Sequence, residues 1–147
     1  PLFQKVRKLN ASVAFRRQQG LFVCEGPKLL EEAVRWGGDI ETVILAKGER
    51  AVCPAGPRMV ETPGDVLVSL ADTETPQGVV FTCTLPDTDL PDRLEKGRYL
   101  VLDGVQDPGN LGTVWRTADA FGAAGLLLTG NWAASSPPPL SPARTRP

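Results

Sequence analysis

Residues 99–118 read YLVLDGVQDPGNLGTVWRTA, and this stretch determines how the second half of the chain is expected to fold. Tyr99–Asp103 is an almost continuous apolar run, which is typical of a strand in a parallel sheet covered on both faces. Turn-forming residues follow, and apolar residues then recur at helical spacing until Gly122, which is placed to end a helix. Gly125–Thr129 resembles a second strand. The pattern predicts one strand–helix–strand unit with a right-handed crossover.

The loop between this strand and helix has the composition of a ligand site in an open α/β sheet. Asn110 is a candidate N-cap, and the free N–H groups of a helix N-terminus favour an anion such as phosphate. The loop is neither a Walker loop nor a dinucleotide-binding loop, because neither glycine pattern is present. Arg116 is the only cation between Arg98 and Arg144. It is a candidate fixed charge for phosphate or carboxylate; the alternative is an ion pair within the chain, with Asp103, Asp107 or Asp119.

The first half of the chain alternates strand and helix patterns, which predicts an α/β layer fold. Pro27 suits the first turn of a helix whose apolar positions run to Trp36, and Gly37-Gly38 ends it. Thr62 and Pro63 offer an N-cap and a first-turn proline for a helix through Leu70. Four strands are predicted, at Leu21–Cys24, Thr42–Ala46, Arg58–Glu61 and Gly78–Thr84.

The chain opens with a block of cations, and no acidic residue precedes Glu25. The spacing predicts one helix that buries Val6, Leu9, Val13 and Phe15. Because the formal net charge of the whole chain is −1, any affinity for nucleic acid must come from a local patch. The block is either such a patch or a solvated helix face. Its members are Lys5, Arg7, Lys8, Arg16 and Arg17.

The stretch 86–98 combines two prolines with four acidic residues, and we interpret it as a linker. The predicted organisation is a first domain over 1–85, the linker 86–98 and a second domain over 99–147. A proline-rich tail without periodicity begins at about residue 131 and cannot continue a parallel sheet.

Composition excludes several classes of site. Histidine is absent, which removes Ser-His-Asp triads, imidazole bases and His-ligated zinc. The three cysteines form no C-x-x-C pair, so we expect reduced, partly buried thiols, no metal and a cytoplasmic location. No run approaches the roughly 18 apolar residues of a membrane span, so we expect no membrane partner.

The segment Asp107–Gly122 closely resembles the first motif of the SpoU-type RNA ribose 2′-O-methyltransferases of the SPOUT superfamily. Residues 22–33, FVCEGPKLLEEA, and residues 74–80, ETPQGVV, are similar to that family's N-terminal substrate-binding domain. Together these motifs place the resemblance over residues 3 to 130.

The resemblance implies an RNA-binding α/β domain similar to a ribosomal-protein fold, followed by an α/β methyltransferase domain with a trefoil knot. Such enzymes transfer a methyl group from S-adenosylmethionine to a ribose 2′-hydroxyl of rRNA or tRNA, usually as homodimers. By position, Arg116 corresponds to the family's catalytic arginine and Asn110 to its functional asparagine. Lys28, in the second motif, joins the cations of the opening block as a candidate RNA-binding residue.

Two further family motifs, which build the knot and the cofactor pocket, have no match here. We therefore expect the cofactor-binding residues in a missing C-terminal segment, and no saturable heat when S-adenosylmethionine is titrated into this chain alone. Two alternatives stay open. One is a non-catalytic RNA-binding α/β module, and the other is a small α/β interaction protein without affinity for RNA.

Overall fold

The computed structural model describes residues 1–53, 55–73, 76–86 and 92–129. The chain divides into two compact units, Pro1–Pro86 and Asp87–Pro147, here called the first and the second unit. Both combine helices and strands, so the predicted α/β class is confirmed. Among the described residues, none of the helices has the length and apolar character needed to cross a bilayer.

The first unit is a four-stranded mixed sheet with helices packed against it. The strand order is β1-β4-β2-β3. The strand β4 runs antiparallel to both of its neighbours, whereas β2 and β3 are parallel. The elements are α1 (Leu2–Ala11), α2 (Val13–Gln19), β1 (Leu21–Glu25), α3 (Pro27–Arg35), β2 (Ile40–Ala46), β3 (Arg58–Thr62), α4 (Gly64–Val68) and β4 (Val79–Thr84).

The central strands of this sheet are the centre of its core. Ile44 of β2 and Val80 of β4 are paired, and both are fully buried. They pack with Val6 of α1 and with Leu67 and Leu70, which lie in or just after α4. Alternation along the strands places Phe81 of β4 on the opposite face of the sheet. The first unit therefore has apolar side chains buried on both faces of its sheet.

The opening basic stretch forms two helices where one was predicted. Ser12 separates them in an extended conformation, and its hydroxyl oxygen accepts a hydrogen bond from the Phe15 backbone N–H at 3.2 Å. A serine cap satisfies an N–H that the start of a helix would otherwise leave without a partner. Val6 and Leu9 are buried as predicted, but Val13 and Phe15 are only half-buried, because the second helix starts with a new direction.

Two further expectations in the first unit were wrong. Thr62 is the buried last residue of β3, and Pro63 takes the N-cap position of α4. The backbone N–H of Lys47 donates to the Thr62 carbonyl at 2.8 Å, so sheet pairing outweighs the capping preference of this threonine. Trp36, predicted on the apolar face of α3, lies just after the helix and is 45% exposed.

The second unit contains the predicted strand–helix–strand arrangement: β5 (Tyr99–Asp103), α5 (Pro108–Ala120) and β6 (Gly125–Thr129). The two strands pair in parallel, with Tyr99 opposite Gly125. Gly122 has a φ of 67° and follows the helix end, as its position in the sequence indicated. The apolar run of β5 is typical of a strand covered on both faces, but Val101 is 62% exposed. Within the described residues this sheet has two strands, too few to bury both faces.

Candidate functional site

The N-terminus of α5 is capped by Asp107, and not by Asn110 as the sequence suggested. The Asp107 carboxylate accepts the backbone N–H of Asn110 at 2.6 Å, and Pro108 is the first helical residue. A proline at that position loses nothing, because its missing N–H would have no partner inside the helix. Asn110 thus lies in the first turn, with an exposed side chain.

This cap changes the expectation of an anion site at the helix N-terminus. The Asp107 carboxylate already uses one of the free N–H groups and places a negative charge beside the positive end of the helix dipole. A second anion at the same place would meet like-charge repulsion. Of the two anion-binding features predicted in the second unit, the helix N-terminus and the Arg116 guanidinium, this cap leaves the guanidinium.

Arg116 lies on the third turn of α5, and its side chain is exposed. Its Nη2 donates to Thr113 Oγ1 at 3.3 Å. A Cβ atom built at Gly112 would lie 3.3 Å from its Nη1. The guanidinium therefore lies over the preceding turn, towards the loop after β5. Among the described residues it forms no ion pair, so the predicted alternative of a pair with Asp103, Asp107 or Asp119 is not observed there.

A groove of about 370 Å³ lies along α5 in the same unit. Its lining is mostly hydrocarbon, with the 77%-exposed ring of Phe121 among the lining side chains. The Arg98 guanidinium donates to the Phe121 carbonyl at 3.3 Å, which fixes that cation at the end of the helix. Within the part of the second unit that the structure describes, this lining lacks the group of polar partners that orients a nucleoside in a built pocket. Its lining residues are Arg98, Leu100, Thr113, Val114, Thr117, Ala118, Phe121 and Ala123.

Three of the six candidate RNA-binding cations hold the helices of the first unit in place. Lys5 forms an ion pair with Glu41 at 3.0 Å. The Arg7 guanidinium donates to the Ser69 hydroxyl at 2.7 Å and to its carbonyl at 3.4 Å, which ties α1 to the end of α4. Arg16 donates to the carbonyls of Leu9 and Asn10 at 3.1 and 3.3 Å, which are among the last acceptors of α1.

The other three candidates present their charge at the surface. Lys8, Arg17 and Lys28 are exposed. The Lys8 ammonium lies 5.8 Å from the centre of the Phe15 ring, in cation–π geometry. Within the described residues, neither Arg17 nor Lys28 has an ion pair or a side-chain hydrogen bond. These three residues form what we call the cationic trio of the first unit.

The thiols are free, as the sequence predicted, and two of them are diagonal neighbours on the paired strands β1 and β4. Cys24 of β1 and Cys83 of β4 are both buried, while Cys53 is half-buried. The hydrogen bond between the Cys24 and Cys83 thiols and their burial raise the pKa of Cys24 far above its ordinary value. Burial also raises the pKa of Cys53. Within the described residues, no three Cys, Asp or Glu side chains come together in a cluster that could hold a metal ion.

These environments predict an order of reactivity towards iodoacetamide at pH 8. Cys53 is expected to alkylate first, although more slowly than a free thiol, because its raised pKa lowers the thiolate fraction. Cys24 and Cys83 are expected to react only in 6 M urea, where the sheet is unfolded. Peptide mass spectrometry after timed quenching measures all three sites. Labelling of Cys24 at the rate of Cys53 without denaturant would contradict the buried pair.

Two family models match separate stretches of the chain. Residues 1–80 match the family model described as MRM3-like substrate binding domain, and residues 97–140 match that of the SpoU rRNA Methylase family. The chain is 35% identical over 116 residues to the 23S rRNA (guanosine(2553)-2′-O)-methyltransferase RlmP of Bacillus subtilis. That alignment covers 77% of this chain and 45% of the relative. The chain thus spans about half the length of the curated relatives that it matches.

Solved structures give the same result. The structure of a putative RNA methyltransferase of the TrmH family from Porphyromonas gingivalis superposes with a TM-score of 0.74 at 31% identity, covering 95% of this chain and 55% of that one. An AdoMet-bound rRNA methyltransferase from Sinorhizobium meliloti superposes with a TM-score of 0.72 at 30% identity, covering 97% of this chain and 55% of that one. The chain therefore belongs to the SpoU-type family of RNA methyltransferases, and its first 80 residues form an MRM3-like substrate-binding domain.

Proposed function

We propose that this protein takes part in methylating a ribose 2′-hydroxyl of ribosomal RNA, with S-adenosylmethionine as the methyl donor. Residues 1–85 bind the RNA, 86–98 act as a linker, and 99–147 contribute Arg116 to the reaction site. The observation that carries this proposal is an exposed guanidinium without an ion pair in the described residues, in the helix that the family model matches.

Arg116 has the chemistry to assist such a transfer. A ribose hydroxyl is a poor nucleophile, so the reaction needs alignment of the two centres and stabilisation of a developing alkoxide. The guanidinium is permanently charged, so it acts as a fixed charge and not as a proton acceptor. By donating to the phosphate beside the target ribose, it holds the nucleotide and lowers the cost of negative charge on the 2′-oxygen. Asn110, in the first turn of the same helix, contributes a polar side chain at the loop.

The S-adenosylmethionine assignment rests on the family and on the AdoMet-bound neighbour. The described residues of the second unit do not by themselves make a fitting site, because the groove along α5 offers mainly hydrocarbon to a polar, charged nucleoside. No step of the reaction is therefore assigned to a cofactor contact in this chain. A homodimer stays a prediction that the resemblance implies, and a cytoplasmic location stays a prediction from the cysteine pattern.

The cationic trio, Lys8, Arg17 and Lys28, supplies the RNA-binding charge of the first unit. Their positive ends face solvent, whereas Lys5, Arg7 and Arg16 also carry structural contacts. Phosphate contacts supply most of the sequence-independent affinity for nucleic acid and make that affinity depend on salt. Lys5, Arg7 and Arg16 then contribute mainly by keeping the two opening helices in place.

Replacing the trio together, in the variant Lys8→Gln, Arg17→Gln, Lys28→Gln, is expected to weaken RNA binding and to flatten its salt dependence. Each phosphate contact contributes about 0.7–0.9 to the slope of log Kobs against log salt, so the slope should fall by about 2 to 3. Fluorescence anisotropy with a labelled rRNA fragment between 50 and 200 mM salt measures this slope.

A charge-matched control separates the effect of these three positions from that of net charge alone. The variant Arg35→Gln, Lys47→Gln, Arg50→Gln removes the same three charges from other exposed positions of the first unit. It should keep most of the original slope. Equal slopes in the two triple variants would remove the trio as the RNA contact, and no measurable binding by the wild type would favour an interaction protein without RNA affinity.

Methyl transfer itself is tested with labelled S-adenosylmethionine and rRNA. The assay uses this chain and a chimera in which residues 130–147 are replaced by the C-terminal half of the Bacillus subtilis relative. We expect label at a ribose in the chimera, recovered as alkali-resistant dinucleotides, because alkaline cleavage needs a free 2′-hydroxyl. A chimera that binds S-adenosylmethionine and rRNA without transferring label would favour the non-catalytic RNA-binding module.

A further inference from the structure

The guanidinium of Arg116 is held by the turn that precedes it, through Gly112 and Thr113. The Arg116 Nη2 donates to Thr113 Oγ1 at 3.3 Å. On the other side, a Cβ at position 112 would stand 3.3 Å from Nη1, tighter than ordinary van der Waals contact. Residues three and four apart are neighbours on a helix surface. The hydrogen bond to Thr113 and the close approach to Gly112 are therefore local and do not depend on the rest of the fold.

The Thr113 hydroxyl is oriented so that it can accept this hydrogen bond. It donates its single hydrogen to the Gly109 carbonyl at 2.9 Å. A hydroxyl carries one donor and two acceptor lone pairs, so the lone pairs are left for the arginine. Thr113 thereby connects the first turn of α5 to the guanidinium of the third turn.

We propose that Thr113 is the positioning residue of Arg116: its hydroxyl, with the space left by Gly112, holds the guanidinium over the loop after β5. This inference rests on the proposed function, in which that guanidinium binds the phosphate next to the target ribose. An arginine side chain has many rotamers, so ordering it on a phosphate costs conformational entropy. A guanidinium that is already restrained in the free protein does not pay this cost on binding.

The helix provides a matched control one turn further on. Thr117 is also exposed, and its hydroxyl donates to the Thr113 carbonyl at 2.8 Å, four residues earlier. Thr113→Val and Thr117→Val therefore make the same chemical change in the same helix, and only the first removes an Arg116 partner. Thr113→Ser restores the hydroxyl. The wild-type far-UV circular dichroism spectrum serves as the check that α5 is intact in each variant.

The first measurement is the nitrogen-15 relaxation of the Arg116 Nε–Hε group in the full chain, assigned by its loss in Arg116→Ala. We expect a restrained signal in the wild type, Thr113→Ser and Thr117→Val. In Thr113→Val the heteronuclear NOE should fall to the value of a freely rotating arginine. An equal NOE in Thr113→Val and Thr117→Val would overturn the positioning role, whatever the reaction is.

The second measurement is rRNA affinity in a double-mutant cycle. Arg116→Ala should weaken binding about 3- to 10-fold, in line with the net contribution of one typical hydrogen bond. Thr113→Val should weaken RNA binding by a large part of that factor. The double variant should bind RNA no more weakly than Arg116→Ala alone. If Thr113→Val binds like the wild type while Arg116→Ala is weak, the positioning role fails and the proposed function stands. If Arg116→Ala binds and methylates like the wild type, the proposed function fails, and the relaxation measurement alone decides the role of Thr113.

Discussion

Arg116→Ala is expected to lower the rate of methyl transfer by about 10²–10³-fold, the typical effect of removing one preorganised group that stabilises developing charge. The loss should appear mainly in kcat, because stabilisation of the alkoxide acts in the transition state more than in the ground state. RNA affinity should change far less, since the cationic trio of the first unit remains. Initial rates with labelled S-adenosylmethionine, in the chimera that carries this chain, measure the effect.

Two companion variants make that result specific. Arg98→Ala removes a cation from the same unit, but its guanidinium lies against the Phe121 carbonyl at the far end of α5. It should keep a rate within about threefold of the wild type. Arg116→Lys keeps a charge but loses the planar fork that matches a phosphate, so an intermediate rate is expected. A rate for Arg116→Ala equal to that of Arg98→Ala would contradict the assignment of Arg116 as a catalytic residue.

Local patterns predicted the elements of this fold well, because each signal lies within the segment it describes. The apolar run at Tyr99–Asp103, Pro27 at a helix start and Gly122 at a helix end all have the predicted role. The Asp107 cap was also detectable in the sequence. An acidic residue directly before Pro108 is the usual order of N-cap and first helical residue, and that signal outweighs the capping preference of Asn110.

The contacts of the opening cations could not be predicted, because their partners are distant in the chain. Lys5 meets Glu41 36 residues later, and Arg7 meets Ser69 62 residues later. Glu41 also accepts from the Thr82 hydroxyl at 3.1 Å, so one carboxylate joins α1, β2 and β4. A run of charges in a sequence carries no information on which of them the tertiary fold will use. A different limit applies to Thr113, which is three residues from Arg116: their contact depends on a rotamer and not on spacing alone.

Phe81→Ala should destabilise the first unit more than any surface change, by about 3–5 kcal/mol of unfolding free energy. Phe81 is fully buried in β4, between Cys24 of β1 and Val43 of β2. Its removal leaves a cavity beside the pairings of β4 with β1 and with β2. The loss is large, because the total free energy of unfolding of a folded domain is only about 5–15 kcal/mol. Urea titration followed by Trp36 fluorescence, with Trp115 and Trp132 replaced by phenylalanine, reports on this unit.

Met59→Ala is the control for that experiment, because it truncates a large apolar side chain of β3, at the edge of the same sheet. Met59 is 47% exposed, so less of its apolar surface leaves water on folding than for Phe81. Its truncation therefore removes less hydrophobic stabilisation. Its cost should stay below about 1 kcal/mol, as for most surface substitutions. The proposed RNA contacts lie on helices of the first unit, so Phe81→Ala should also lose affinity for RNA above the urea concentration where its sheet unfolds. Met59→Ala should bind normally at that concentration. Equal midpoints for the two variants would mean that β4 is not the centre of the core.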